Sequence, residues 1–330
     1  MAYPSISTAI SAQRAASIVK AYIKTGSEKY QNIGFIRNGE LKVTPYSTVD
    51  TRQRNMATDA YTFEAKFEML QTKLEELELI DSIVNGASDW LFKLTDAATV
   101  TTSAAYEGWV AVTDTQVGTK ARYVCDGNPN NTQFVEIMVK GTLVKTALDA
   151  ALKATLQTSD FHLSSTASET FSDNASAAGG TIFGYYLSTT ADDNTGVLAN
   201  KRAAGFSTVA LDDDLSSSAV TLGRVRNGRM VFDWVAEEDS LGRFNVYAID
   251  VDIEYEYMVT DAATLLLLDS MNQTNTKVTI TLLDGKVFTL SSKLGVNTSF
   301  ENVGDFDKFR VMRFSHKGRI LTSEFDGIVA

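Results

Sequence analysis

The chain has 330 residues, with 41 acidic and 30 basic side chains, a net charge of −11, two histidines and one cysteine. Hydrophobic residues at 44% and charged residues at 22% exclude a globally disordered or collagen-like chain, and the length suggests about two domains. The lone Cys125 excludes an intramolecular disulfide scaffold, His162 and His316 leave little material for His-based metal or acid–base chemistry, and the negative charge argues against a general nucleic-acid-binding surface.

Met1–Ile6 lacks a basic stretch followed by an apolar one, and no apolar run approaches the ~18 residues of a membrane span. The expectation is a soluble protein made in the cytoplasm, without membrane insertion. Residues 5–24 read as a helix, with Ile6, Ile10, Val19 and Ile23 on one side. Asn38-Gly39 stands between apolar runs and predicts a β-hairpin turn, because this dipeptide tolerates positive φ. Tyr61, Phe63, Ala65 and Phe67 then alternate with Thr62, Glu64, Lys66 and Glu68, the pattern of a half-buried strand. Leu70, Leu74, Leu77 and Ile80 follow at helical spacing. A strand is predicted over Phe134–Val139 and a helix over 143–156.

Residues 157–221 are rich in Ser, Thr, Ala, Asp and Gly, and read as a linker or insertion with short strands at Ile182–Leu187 and Phe206–Leu211. Asn227-Gly228 predicts another hairpin. Ile249, Val251, Ile253, Tyr255 and Tyr257 alternate with Asp250, Asp252, Glu254 and Glu256. A helix follows from about Thr260 to Met271. Strands Val278–Leu283 and Lys286–Leu290 flank the turn Asp284-Gly285, and a last strand covers Phe309–Phe314.

The two halves resemble each other. Ile33–Gly39 matches Leu222–Gly228 at an offset of 189, and Leu79–Ile83 matches Leu267–Met271 at 188. Tyr61, Phe63, Glu64 and Phe67 align with Val251, Ile253, Glu254 and Tyr257 at 190, and Lys140-Gly141 pairs with Lys317-Gly318. Matches recurring in one order indicate an internal duplication. The expected fold is α+β: two tandem antiparallel β-sandwich or barrel domains, each with a flanking helix. The expected divisions are an N-terminal helical segment over 1–25, domain 1 over 26–156, an insertion over 157–221 and domain 2 over 222–330.

Motifs for chemistry are lacking. There is no phosphate-binding loop, dinucleotide fingerprint, His-Glu-x-x-His or Gly-x-Ser-x-Gly. His162 lies in a polar segment with no orienting third group, His316 beside a Lys317-Gly318 turn, and Cys125 beside the loop Asp126–Asn130 without a His partner. Asp192–Gly196 lacks the spacing and closing glutamate of a calcium loop. No catalytic, cofactor or metal residue is expected, and the chain is not expected to be an enzyme. The acidic comb Asp250, Asp252, Glu254, Glu256 has two readings. It is the solvent face of an ordinary strand, or the wall of a wide aqueous channel that repels phosphate.

Gly34–Val43 and Tyr61–Ile83, with their counterparts Gly223–Phe232 and Val251–Met271, follow an order that resembles the major tail tube proteins of long-tailed bacteriophages. The duplication is similar to tail proteins that carry two tube domains per chain. The resemblance implies homotrimeric, pseudo-sixfold rings stacked into a hollow tube within the virion tail. It also implies contacts with other tail proteins and passage of DNA during ejection. By this mapping Thr62, Glu64, Lys66, Asp250, Asp252, Glu254 and Glu256 line the channel. Asn38, Gly39, Asn227 and Gly228 sit in ring-stacking loops. A baseplate hub, a head–tail joining protein, and a hydrolase or binding protein with a site in 157–221 are the alternatives.

Overall fold

The computed structural model describes residues 16–25, 29–33, 36–50, 55–71, 81, 83–86, 88–126, 133–161, 206–213, 220–222, 225–259, 276–282, 287–291, 296–306 and 309–327. The first stretch holds strands β1 (Ala16–Thr25), β2 (Gln31–Asn32), β3 (Ile36–Asp50), β4 (Asn55–Gln71), β5 (Ser88–Leu94), β6 (Ala104–Glu107), β7 (Trp109–Val112), β8 (Gly118–Asp126) and β9 (Gln133–Val144). Helix α1 (Lys145–Ala151) and strand β10 (Lys153–Leu156) follow. The remainder holds β11 (Phe206–Asp213), β12 (Val220–Leu222), β13 (Val225–Glu238), β14 (Phe244–Val259), β15 (Thr276–Leu282), β16 (Val287–Ser291), β17 (Val296–Phe306) and β18 (Phe309–Leu321). The fold is mostly antiparallel β, with little helix among the described residues.

The long strands form one sheet in the order β17-β18-β14-β13-β8-β9-β4-β3. Two short pairs, Ala16↔Leu41 and Ser17↔Glu40, join β1 to the β3 end. The strands β2, β1, β5 and β7 pair in that order, and β12-β11-β15-β16 form a separate four-stranded sheet. The order β8-β9-β4-β3 thus recurs as β17-β18-β14-β13, and β2-β1-β5-β7 recurs as β12-β11-β15-β16. The link between the two long groups is the β8–β13 ladder, from Arg122↔Asp233 to Asp126↔Arg229.

Alternation explains which face is covered. Along β14, Ile249, Val251, Ile253, Tyr255 and Tyr257 are buried, while the acidic residues between them stay partly exposed. In β4, Phe63, Ala65 and Phe67 are fully buried. Phe67 meets Trp90 of β5 edge-on at 5.7 Å, and Phe63 lies 6.2 Å from Phe92. In the other half Tyr255 meets Phe206 at 6.2 Å, and Phe232 stacks on Phe288 at 5.5 Å. The short strands therefore lie against the apolar face of the long sheet, and the polar face stays in water.

Several expected elements differ. Residues 16–24 are strand β1, not helix, because Ile18, Val19, Tyr22 and Ile23 suit a pleated surface and β5 offers a ladder from Ile18↔Leu94 to Thr25↔Ser88. Residues 5–15 lie outside the described residues. The helix over 143–156 shrinks to Lys145–Ala151, since Leu143 and Val144 finish β9 and Lys153–Leu156 pairs with β6. Most of the helices predicted after Leu70 and Thr260 lie outside the described residues, although Asp81 and residues 83–85 are helical and Leu70 belongs to β4. The strand expected at Phe206–Leu211 within 157–221 is present as β11, which pairs with β12 and β15. Asp192–Gly196, Ile182–Leu187, His162 and the Asp284-Gly285 turn lie outside the described residues.

Asn38-Gly39 and Asn227-Gly228 are not hairpin turns. Each is a bulge inside a strand, where the register skips between Arg37 and Glu40 and between Arg226 and Arg229. Asn38 has φ 52° and Asn227 φ 51°, so the dipeptide's tolerance of the left-handed region is used to bend a strand. One carboxylate on the next strand holds each bulge. Glu68 accepts Arg37 Nε at 2.6 Å and Asn38 Nδ2 at 2.9 Å. Glu256 accepts Arg226 Nε at 3.1 Å and Asn227 Nδ2 at 2.8 Å. The two clamps sit 188 residues apart, and Phe63 and Val251 pair with Gly141 and Gly318 respectively. The long strands therefore correspond at 188 rather than 190, which leaves the assignment of faces unchanged. Replacing Asn227 by Ala is expected to cost about 1–2 kcal/mol, through the strained φ and the lost bond to a carboxylate. Urea unfolding checks this, and Asn227→Gly should cost less.

His316 is not at a turn. It lies in mid-strand in β18, fully buried, with Nε2 3.0 Å from the Tyr255 hydroxyl. Burial pushes its pKa down to about 3. The folded state therefore refuses a proton that the unfolded chain takes up below about pH 6.5. Stability from this group is complete above that pH and is lost as pH falls toward 3. The pair corresponds to Val139 and Phe67 in the other half, where Val139 pairs with Ala65 as His316 pairs with Ile253. The double variant His316→Val, Tyr255→Phe should lose less stability than the parent between pH 6 and 3. His316→Val alone should cost about 1–3 kcal/mol by orphaning the buried hydroxyl. Thermal unfolding across that pH range reads both.

Candidate functional site

The polar face of the long sheet concentrates the charged side chains. Register places one row straight across seven strands: Arg319 of β18, Asp250 of β14, Asp233 of β13, Arg122 of β8, Glu136 of β9, Glu68 of β4 and Arg37 of β3. The expected channel residues belong to this face. Asp250, Asp252, Glu254 and Glu256 come from β14. Thr62, Glu64 and Lys66 come from β4, where Glu64 pairs with Lys140 and Lys42, and Lys66 with Glu40.

The acidic comb is not a row of repelling, unpaired carboxylates. Strand β18 sets a basic comb beside it. Asp250 takes both Nε and Nη2 of Arg319, at 2.6 and 3.0 Å. Lys317 bridges Asp252 at 3.4 Å and Glu254 at 2.9 Å. Arg313 bridges Glu256 at 3.5 Å and Glu301 at 3.3 Å. The hydrogen bond and charge of Lys317 hold the Glu254 pKa below the usual carboxylate range, and Glu254 in turn raises that of Lys317. At Glu68 burial opposes ionisation, but the bonds from Asn38 and Arg37 outweigh it and the pKa falls. These pairs are water-exposed, so each adds little stability, and their weight lies in fixing side-chain positions. Asp233 behaves differently. Burial raises its pKa, although Arg122 and Lys120 pull it down. Arg122 sits 3.8 Å from both Asp233 and Glu136, across the β8–β13 seam.

Lys317 and Arg319 fall outside the sequence-based site because the strand expected there ends at Phe314, whereas Arg313 falls inside that strand and only the pairing sets its partners Glu256 and Glu301. The alternate spacing of Arg313, Lys317 and Arg319 through Ser315 continues the strand pattern, and that signal was legible. Lys317-Gly318 looked like a turn; instead Gly318 pairs with Val251 and Val296 in mid-sheet. Asn38, Gly39, Asn227 and Gly228 are also on the long sheet, at the bulges of β3 and β13. Cys125 lies near the end of β8, opposite Met230 at the seam.

A polar cleft of about 450 Å³ opens at the seam, lined among others by Asn85, Asp114, Thr119, Asp239 and Arg243. Arg243 is already engaged, donating to Asp239 at 2.8 Å and to the Thr115 carbonyl at 2.9 Å. Among the described residues no group of three His, Cys, Asp or Glu side chains is placed to hold a metal ion, and no helix is long and apolar enough to cross a membrane. Comparison with protein-family models, with curated proteins and with solved structures finds no match.

Proposed function

We propose that this chain is a virion structural protein that closes in threes into pseudo-sixfold rings and stacks them into the hollow tube of a phage tail. The observation that carries the reading is the strand order. Two four-stranded groups of the same order lie in line, joined by β13 against β8. The outer strands of the long sheet are then β3 and β17, the counterparts of β13 and β8. A sheet whose two ends repeat the partners of its own internal seam can add copies head to tail, and a head-to-tail contact of suitable rotation closes into a ring. Three chains supply six groups. The two groups and their covering strands are read as duplicated tube domains.

The polar face lines the channel in this reading. Arg37, Arg122, Arg226, Arg313, Lys317 and Arg319 are tied to carboxylates on neighbouring strands, so a passing phosphate backbone meets fewer free positive charges. DNA can then slide without sticking, on a wall of paired charge rather than a purely acidic one. Negative-stain microscopy with mass determination across a concentration series tests the assignment. Tubes of stacked rings with three chains per ring are expected. A single trimeric ring that never stacks would indicate a hub, and a dimer with a ligand in the seam cleft would overturn the structural role.

A further inference from the structure

We propose that the first residues of β1 cap the docking edge of β3, and that β17 of a second copy closes the ring by displacing them. The inference rests on the ring reading above. In the long sheet β13 lies between β14 and β8, and β3 lies between β4 and β1. Strand β1 thus takes, on β3, the place that β8 takes on β13.

The positions agree residue by residue. On β13, Arg229 and Met230 pair with Asp126 and Cys125. On β3 the corresponding Glu40 and Leu41 pair with Ser17 and Ala16. Strand β8 continues through Val231, Phe232 and Asp233, giving five pairs. The described residues of β1 give two pairs there, and from Ile18 onward β1 follows β5. The five-pair stretch corresponds to Glu40–Thr44, and Pro45 ends it on β3. A proline without an N–H suits an edge strand, and here it marks where the docking ladder stops. In the second half β11, the counterpart of β1, pairs among the described residues with β12 and β15 alone, while β8 fills the edge. One half shows the slot filled, the other shows it capped.

Two local features seat the cap. A Cβ on Gly39 would fall 2.3 Å from the Ile18 carbonyl oxygen, so glycine is what lets β1 come this close. The Ser17 carbonyl accepts both the backbone N–H and the hydroxyl of Thr95, each at 3.3 Å. Neither contact needs a second copy. An open strand edge invites indiscriminate pairing, and a short cap blunts it. A ladder of the five pairs that β8 makes on β13 favours a partner that arrives in the correct register.

The test is a reversible lock. Ser17→Cys with Glu40→Cys, in a Cys125→Ser background, joins two exposed positions that face each other across an antiparallel pair, at a separation a disulfide spans. The oxidised protein should form rings at least about tenfold more slowly than the reduced protein, the factor that one or two backbone hydrogen bonds represent. Ala16→Pro, which weakens the cap without any cross-link, should speed ring formation by a similar factor. Light scattering follows the rates, and microscopy counts the rings. Rings formed equally fast by oxidised and reduced protein, or Ala16→Pro assembling no faster than wild type, remove the cap and leave the ring reading standing. A wild-type chain that forms no rings at any concentration removes the ring reading, and the cap with it.

Discussion

Phe232→Ala is expected to lower the free energy of unfolding by about 3–5 kcal/mol, the usual range for truncating a core aromatic. The Phe232 ring is fully buried on β13 and touches parts of both halves. It stacks 5.5 Å from Phe288 of β16 and 6.2 Å from Tyr123 of β8, and meets Phe325 edge-on at 5.7 Å. Three separate elements would have to move inward to fill the space, and the β8–β13 ladder fixes one of them, β8. The cavity should therefore stay open, so the loss should fall at the high end of that range. Urea unfolding of the unassembled chain gives the number directly. A loss under about 1 kcal/mol would show that the two halves do not share one packed seam.

Gly118→Val should be comparably damaging, at about 3–5 kcal/mol, for the opposite reason. A Cβ at Gly118 would lie 2.1 Å from the Phe244 carbonyl oxygen and 2.4 Å from its amide nitrogen. These are backbone atoms at the start of β14, so no side chain can swing aside. The start of β8 and the start of β14 would have to separate, which strains Lys120 and Lys140 off the Phe244 ring they flank at 4.9 and 5.8 Å. Gly242 is the control. It has φ +67° but only the Thr142 hydroxyl nearby, at 3.1 Å, so Gly242→Ala should cost about 1 kcal/mol. Equal losses at the two positions would mean that the crowding at Gly118 relaxes.

The sequence alone carried the alternation of Ile249–Tyr257 and of Tyr61–Phe67, and with it the buried and wet faces of both long strands. That pattern is local, because a period of two depends only on the pleat. It also carried the likeness of the two halves, through Arg37-Asn38-Gly39 and Arg226-Asn227-Gly228, since a residue that accepts positive φ is needed wherever the backbone bends that way. What the bend was for lay beyond it. A hairpin and a bulge make the same demand on Asn-Gly, and only the register against Glu68 and Glu256 distinguishes them. Residues 16–24 failed for a similar reason. Their apolar positions satisfy a helical period as well as a strand, and the choice was made by β5, some seventy residues away.

The charge on the polar face was also decided at a distance. Asp250, Asp252, Glu254 and Glu256 read as an acidic wall because their chain neighbours hold no cations. Arg313, Lys317 and Arg319, about sixty residues on, neutralise them across an antiparallel ladder. Side-chain spacing along one strand determined which face each residue takes. Pairing between strands far apart in sequence determined what it meets there, and that is a property of the sheet rather than of any segment within it.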